Sequence, residues 1–584
     1  MRIILIFLIG FLGTFYLTAL FTRFIKGLKR LRHSFFGFML LIAGVLTLFL
    51  NIPLLSPFLI GGGFGMIVYH LLSQGFIISE KIEQDFIRRH DTKIERLLEM
   101  LPGVLMWVAL TSPIWLSFKL PFAVAYLIIL ADVYWLFNAI KIAALILIGY
   151  KKMQWAKEQD WVERLQQDFP DTWGNYYHLV LIPTFKEGME ILAPTFDAIT
   201  FSNYPKKKIL LLVGFESRDS EEKIEATKAY LKKIEKKFGA VLTTIHPYGL
   251  SGEVPGQGSN RNWMIRQTLP MFKEMGIKPE KIFMTTLDAD FVIHPQFLAG
   301  ALHKYLSTPT DLRDKYSYTG VFLFYNNYWQ TPAPMRLVAA GTSYWQLSEM
   351  VGSDKYINYS SMSMNLQSVI DVGLWIPNKV NDDSGFYWKA YFYFNGKYKV
   401  IPHFLPISGD AVLDITLLKT FQNQYLQLKR WAYGVEHIPF IFKQYFKSEK
   451  LDFWDKTDKL LFVTWSYLKW GTLALFITFG GLFIGFINKD FSQSVVAHNM
   501  SVVSSWILTA AFIGLFSTIY MHERTVPKRP ASWNVLQKTW SYIQWALVPI
   551  VLITIATLPA IDAQTRLMLG KYMEFRVTNK ARLG

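Results

Sequence analysis

Apolar runs separated by short basic loops occupy the start of the chain, a long polar middle follows, and apolar runs return near the C-terminus. Stretches long enough, or nearly so, to cross a bilayer cover residues 3–21, 35–52, 57–76, 102–118 and 122–150, then 460–487 and 501–520. A last stretch, 540–559, contains Pro549 and Pro559 and ends in Asp562, Arg566 and Lys571. It is expected to be a shallow or re-entrant interfacial helix, with a simple eighth span as the alternative. Residues 3–21 read as a span rather than a cleavable leader, because they are long enough to cross and a basic segment follows.

The middle has a different period. Short apolar segments at 178–185, 208–215, 241–246 and 281–287 alternate with amphipathic patterns beginning near 187 and 220 and covering 260–275. This is a βαβ series and predicts an α/β domain with a mostly parallel sheet. Ligands of such sheets sit at the carboxyl ends of strands. Residues 183–187, 214–219 and 288–290 all fall there.

Composition agrees with a membrane protein: 52% of residues are hydrophobic, and the mean hydropathy is +0.22. The net charge of +17 is not a nucleic-acid signature, since no Lys/Arg-rich tract is interleaved with base-stacking aromatics. The basic residues flank apolar segments, where anionic lipid favours them. Arg23, Lys26, Lys29, Arg30 and Arg32 place the first loop in the cytosol, and Lys151 and Lys152 open the middle domain on that same side. There are no cysteines, so disulfide and thiolate chemistry are excluded. Neither a Walker loop nor a convincing Gly-x-Gly-x-x-Gly follows a strand, and the glycines of 252–258 read as a flexible loop.

Three motifs carry chemistry. Asp288-Ala289-Asp290 closes a strand, and two carboxylates so spaced suit a hard cation such as Mg²⁺ that also takes phosphate oxygens. An isolated Asp-x-Asp is more often a solvated strand terminus. Asp382 and Asp383 form a second acidic site. Gln427-x-x-Arg430-Trp431 then sets an amide, a permanent cation and a flat apolar face within about one and a half helical turns. Transfer from a nucleotide sugar needs a metal for the leaving diphosphate, a carboxylate to deprotonate the acceptor, and a cation for the leaving group. Asp290, Asp383 and Arg430 fit those roles in order.

With these residues in line, residues 177–580 resemble the membrane-embedded family 2 glycosyltransferases of the cellulose synthase, hyaluronan synthase and mannan synthase-like type. The resemblance implies a Rossmann-like GT-A domain inserted between two groups of transmembrane helices. The expected boundaries are 1–150 for about five N-terminal spans, 151–410 for the catalytic domain and 411–458 for interface helices. C-terminal membrane helices then cover 459–560, and a cytosolic tail covers 561–584. It further implies that Asp288 faces the diphosphate and, with Asp290, serves the Mg²⁺ or Mn²⁺ site. Asp383 is the implied base beside Asp382, and Trp431 stacks on the acceptor sugar. Glu187, Glu216, Asp219, Gln427 and Arg430 are expected on the nucleotide sugar. Phe575-Arg576-Val577-Thr578-Asn579-Lys580 fits the Phe-x-Val-Thr-x-Lys gating loop, adding Thr578 and Lys580 to that set. The chain departs from the family at Gly214-Phe215-Glu216-Ser217-Arg218-Asp219, where many members carry Asp-Asp-Gly-Ser, and at Asn381-Asp382-Asp383, where they carry Thr-Glu-Asp.

The expected protein is therefore an inverting enzyme of the plasma or inner membrane, multi-pass, with a cytosolic catalytic domain. It takes a UDP- or GDP-sugar and extends a glycan, with possible coupled translocation. One alternative is non-processive transfer to a polyprenyl phosphate or other lipid. The other is a transporter or scaffold without catalysis. Asp132, near the middle of the fifth apolar stretch, is expected either to line a polar path or to face other helices.

Overall fold

Two helices, α1 (Asp91–Ser117) and α2 (Pro121–Glu158), hold the apolar stretches at 102–118 and 122–150. The computed structural model describes residues 40, 59–63, 65, 91–352, 354–448, 450–574 and 582. The expected spans at 3–21, 35–52 and 57–76 lie, but for isolated residues, outside the described residues, as does the expected gating loop with Thr578 and Lys580. Two compact units divide the chain, Met1–Arg96 with Ile441–Leu461, and Leu97–Phe440 with Phe462–Gly584. In the first, Lys443 Nζ lies 3.1 Å from Asp91 Oδ1 and 3.0 Å from Glu95 Oε2.

The second unit holds the expected α/β domain. Strands β1 (Tyr177–Pro183), β2 (Ile209–Glu216), β3 (Ala240–His246) and β4 (Ile282–Thr286) pair in parallel in the order β3-β2-β1-β4. All eight residues of β2 are buried, as expected of a parallel strand covered on both faces. Burying each such Leu, Ile or Val side chain contributes about 1.5–3 kcal/mol. Helix α3 (Glu221–Ile234) starts where Ser220 Oγ accepts from Lys223 N, and α4 (Gln257–Glu274) follows β3.

Beyond β4 the sheet turns mixed, a feature the sequence pattern did not predict. The added elements are β5 (Val292–Ile293), β6 (Tyr316–Leu323), helix α5 (Ala333–Gly352), β7 (Ser363–Asn365), helix α6 (Asp382–Tyr393) and β8 (Lys399–Ser408). The full order is β3-β2-β1-β4-β7-β6-β8-β5, with β7 antiparallel to both of its neighbours.

Helix α7 (Leu417–Ala432) carries Gln427, Arg430 and Trp431. After it come α8 (Phe453–Ile487), α9 (Val495–Ala511), α10 (Ile513–Thr525), α11 (Val535–Ile543) and α12 (Leu558–Met568). Among the described residues, five helical runs are long and apolar enough to cross a membrane: Asp91–Ser117, Pro121–Glu158, Phe453–Ile487, Val495–Thr525 and Val535–Met568. These runs flank the α/β domain in the chain. Helix α2 packs on α5, α9 and α10, with Val124, Ala125 and Ile128 against Ile484 and Phe491. Asp132 of α2 is fully buried, and neither carboxylate oxygen makes a hydrogen bond of normal geometry, although Ser504 of α9 faces it.

The last run is broken by a 3₁₀ turn at Gln544–Leu547 and a π-helical turn at Leu552–Thr557. Near its start, Arg336 Nε of α5 donates to Gln544 Oε1 at 2.8 Å. Near its end, Lys429 of α7 pairs with Asp562, which also accepts from Tyr425 Oη at 3.2 Å. Both halves of this run therefore dock on helices of the α/β domain.

Candidate active site

The fold brings two distant acidic segments to one place. Asp288 follows β4 at its carboxyl end, where Leu287 N donates to Leu181 O of β1 at 2.9 Å. Asp382 and Asp383 form the first turn of α6, where the helix dipole favours anions. Between them lies Arg261 of α4, whose side chain is fully buried. Its Nη1 donates to Asp383 Oδ1 at 2.7 Å and to Asp382 Oδ2 at 3.0 Å, while Nη2 lies 3.5 Å from Asp288 Oδ1. Gln257 Oε1, one turn earlier on α4, accepts from Nη2 at 3.2 Å, and the guanidinium sits over the Trp375 ring.

The glycine-rich segment is thus no simple flexible loop at its end. Gly258 belongs to the first turn of α4, and a Cβ added there would lie 2.7 Å from Asp382 Cβ. The absence of a side chain lets α4 approach the acidic pair.

Arg430 of α7 completes the group, and its charge acts on Asp288, Asp382 and Asp383. Three carboxylates so face two guanidiniums. Burial raises the pKa of Asp383 above the ordinary carboxylate range; Arg261 opposes the shift, and Asp382 and Asp288 add to it. Asp382 is raised for the same first reason, against Arg261 and Arg430. Burial pulls Arg261 down, but Asp383, Asp382 and Asp288 outweigh it and hold the guanidinium charged.

Asp290 points to another set of partners. Its Oδ2 accepts from Asp410 N at 2.7 Å, and Asn326 Nδ2 bridges Asp290 O and Asp410 Oδ1, each at 2.9 Å. The Asp410 carboxylate is fully buried and bound by Arg582 through Nη2 at 2.8 Å and Nε at 3.1 Å. Asp288, by contrast, meets Arg261 and accepts from Ser360 Oγ at 3.0 Å. Among the described residues no three His, Cys, Asp or Glu side chains form a metal cage. The oxygen-only donors Asp288 and Asp290 have the chemistry that a hard cation takes, while their side chains turn to different partners.

Glu187, Glu216 and Asp219 gather at the carboxyl ends of β1 and β2. Glu187 Oε2 accepts from Thr184 Oγ1 at 2.9 Å and Phe185 N at 2.7 Å. Asp219 Oδ2 accepts from Lys186 N at 2.8 Å, fixing Lys186 at a left-handed φ of 73°. Glu216 is paired with Arg218, which lies 4.3 Å from the Phe185 ring centroid and 5.1 Å from that of Tyr248.

On α7, Gln427 is buried and its Oε1 accepts from Gln424 Nε2 at 3.2 Å. Trp431 is half-buried beside Phe324, ring centroids 6.4 Å apart. Trp345 and Tyr359, 39% and 38% exposed, form a second ring pair at 5.3 Å, next in sequence to the Ser360 that binds Asp288. Sequence reasoning did not single out Arg261 or Asp410; only Arg261 left a signal, a cation on the buried face of α4.

No protein-family model matches the chain, and no curated protein matches it. Among solved structures it is similar to mannosyltransferase PcManGT from Pyrobaculum calidifontis in complex with GDP-Man and Mn2+. Identity is 13% over 74% of this chain and 100% of that chain, with a TM-score of 0.37. Residues 1–349 of S. aureus TarS match at 11% identity over 68% of this chain and 94% of that chain, TM-score 0.31. GalNAc-T7 with UDP, GalNAc and Mn2+ matches at 11% identity over 50% of this chain and 57% of that chain, TM-score 0.28. At these scores the likeness says nothing of activity.

Proposed function

We propose that this chain is a membrane glycosyltransferase of GT-A type, transferring a sugar with inversion from a nucleoside diphosphate sugar to an acceptor hydroxyl. The observation that carries the reading is the convergence of Asp288, Asp382 and Asp383 on Arg261, with Arg430 facing the same three carboxylates. These groups come from the end of β4, from α4, from the start of α6 and from the end of α7.

Asp383 is the base. Its carboxylate takes the acceptor proton as the acceptor oxygen forms its bond to the anomeric carbon, and the bond from that carbon to the diphosphate oxygen breaks on the opposite face. No glycosyl-enzyme intermediate forms. Arg430 meets the negative charge gathering on the departing nucleoside diphosphate. Asp290 and Asp288 would hold Mg²⁺ or Mn²⁺, which when bound supplies further charge neutralisation at the diphosphate. Glu187, Glu216 and Asp219, at neighbouring strand ends, are assigned to the nucleoside, and Gln427 to the donor side of α7. Trp431 is assigned to the acceptor ring.

A growing glycan at the cytosolic membrane face is the first reading of the acceptor, resting on the Gln-x-x-Arg-Trp segment and on the sequence match at 575–580. A lipid-linked acceptor is favoured by one observation. An open groove beside α7 is lined by Phe421, Gln422, Tyr425 and Leu426, with Thr554 and Ile555 of the π-helical turn. Its mostly apolar lining, within two turns of Gln427, suits a hydrocarbon chain. Incubation of the purified protein with radiolabelled UDP- and GDP-sugars, followed by product sizing, tests both. Long products support polymer synthesis, a single sugar on an extractable lipid supports the second reading, and no transfer from any donor rejects glycosyl transfer.

A further inference from the structure

The segment immediately after the Gln-x-x-Arg-Trp helix grips the residue immediately before the acidic pair. Tyr433–His437 is a 3₁₀ turn continuing from α7, and all five of its residues are buried. Glu436 Oε1 accepts from both Val380 N, at 2.8 Å, and Asn381 N, at 3.0 Å. His437 Nε2 donates to Asn381 O at 2.8 Å, and Asn381 Nδ2 donates to Arg430 O at 2.8 Å. The backbone N–H, backbone carbonyl and side-chain amide of Asn381 are thus all held by residues 430–437. The packing is equally close. A Cβ at Gly385 of α6 would lie 3.0 Å from His437 Cε1, and one at Gly434 would collide with Tyr467 Oη of α8.

Asn381 is the N-cap of α6, so its position sets the first turn of that helix and with it Asp382 and Asp383. The geometry points to Glu436 as a positioning residue that locks the base-bearing helix α6 to the Arg430–Trp431 end of α7. The two elements then hold a fixed relation, and the Gly434–Tyr467 contact ties that unit to α8. This inference rests on the reading of Asp383 as the base. A single carboxylate oxygen accepting two adjacent amides is chemistry that the isosteric glutamine retains and alanine loses.

The test compares Glu436→Ala and Glu436→Gln in the full-length protein, measuring kcat, the KM for the nucleotide sugar and the nucleotide Kd. Misplacing the base relative to the acceptor lowers turnover without touching the donor pocket. Glu436→Ala is therefore expected to lose roughly 10- to 100-fold in kcat with donor KM and nucleotide Kd within about twofold of wild type. Glu436→Gln is expected to recover most of that loss. Turnover of Glu436→Ala within twofold of an active wild type overturns the inference alone. Equal loss of turnover and nucleotide binding in both variants also overturns it, assigning Glu436 to stability only. A wild-type protein that transfers no sugar removes the functional reading itself, and this inference with it.

Discussion

Arg261 Nη1 stands 2.7 Å from Asp383 Oδ1, and the arginine side chain that places it there has no exposed surface. A buried cation in contact with three carboxylates has one consequence for stability and another for reactivity. Removing it leaves three carboxylates facing the single guanidinium of Arg430, and breaking a buried ion pair in this way costs about 3–5 kcal/mol. Arg261→Gln is therefore expected to lower the unfolding midpoint markedly and to abolish transfer, both readable from thermal melts and a labelled-sugar assay. Wild-type stability in that variant would contradict the bridging role.

The pH dependence follows from the base. Asp383 must be ionised to accept a proton, and burial holds its pKa above the ordinary carboxylate value of about 4. The acid limb of kcat/KM, which reports the free enzyme, is expected to rise with an inflection above that value. An inflection at or below it would assign the limb to another group.

Glu436 gives a separate signature in stability. Burial raises its pKa from 4.5 to about 7, against Lys379 and the amides of Asn381 and Val380. A carboxyl that binds its proton more tightly folded than unfolded contributes stability that is fully present below pH 4.5 and is lost as pH rises to about 7. Denaturation midpoints of the wild type should fall across that window, and Glu436→Gln should flatten the fall. An unchanged slope would mean that Glu436 does not titrate there.

Close approach at Gly258 makes a steric prediction. A methyl group there would lie 2.7 Å from Asp382 Cβ, so Gly258→Ala must displace either α4 or the acidic pair. Overpacking of this kind costs about 1–3 kcal/mol. Turnover should drop more than nucleotide affinity, as measured by kcat and by nucleotide titration; parallel losses would place the strain in the donor pocket instead.

Much of this arrangement was legible in the chain. Alternating apolar segments gave β1 to β4 and hence the strand ends that carry Glu187, Glu216 and Asp288, because parallel strands buried on both faces leave a strong signal. The second half of the sheet left almost none. Strand β7 has only three residues, and β8 contains Pro402 and Pro406, which read against a strand. Asp410, two residues beyond β8, was hidden for that reason. Arg261 fell inside the helix expected at 260–275, and the glycines before it hid only that helix's first turn; what no local pattern showed was its contact with Asp382 and Asp383, more than a hundred residues later. Glu436 and His437 act through a short 3₁₀ turn whose meaning depends on Asn381, more than fifty residues earlier, and no local pattern announces such a contact.

The base assignment is the centre of the account, and one substitution addresses it directly. Asp383→Asn keeps the shape of the side chain and removes its basicity, so labelled-sugar transfer and nucleotide binding are to be measured on the same purified sample. The account predicts loss of transfer by at least about 100-fold, the scale of general-base catalysis, with nucleotide affinity retained. Near-normal turnover in Asp383→Asn would contradict it.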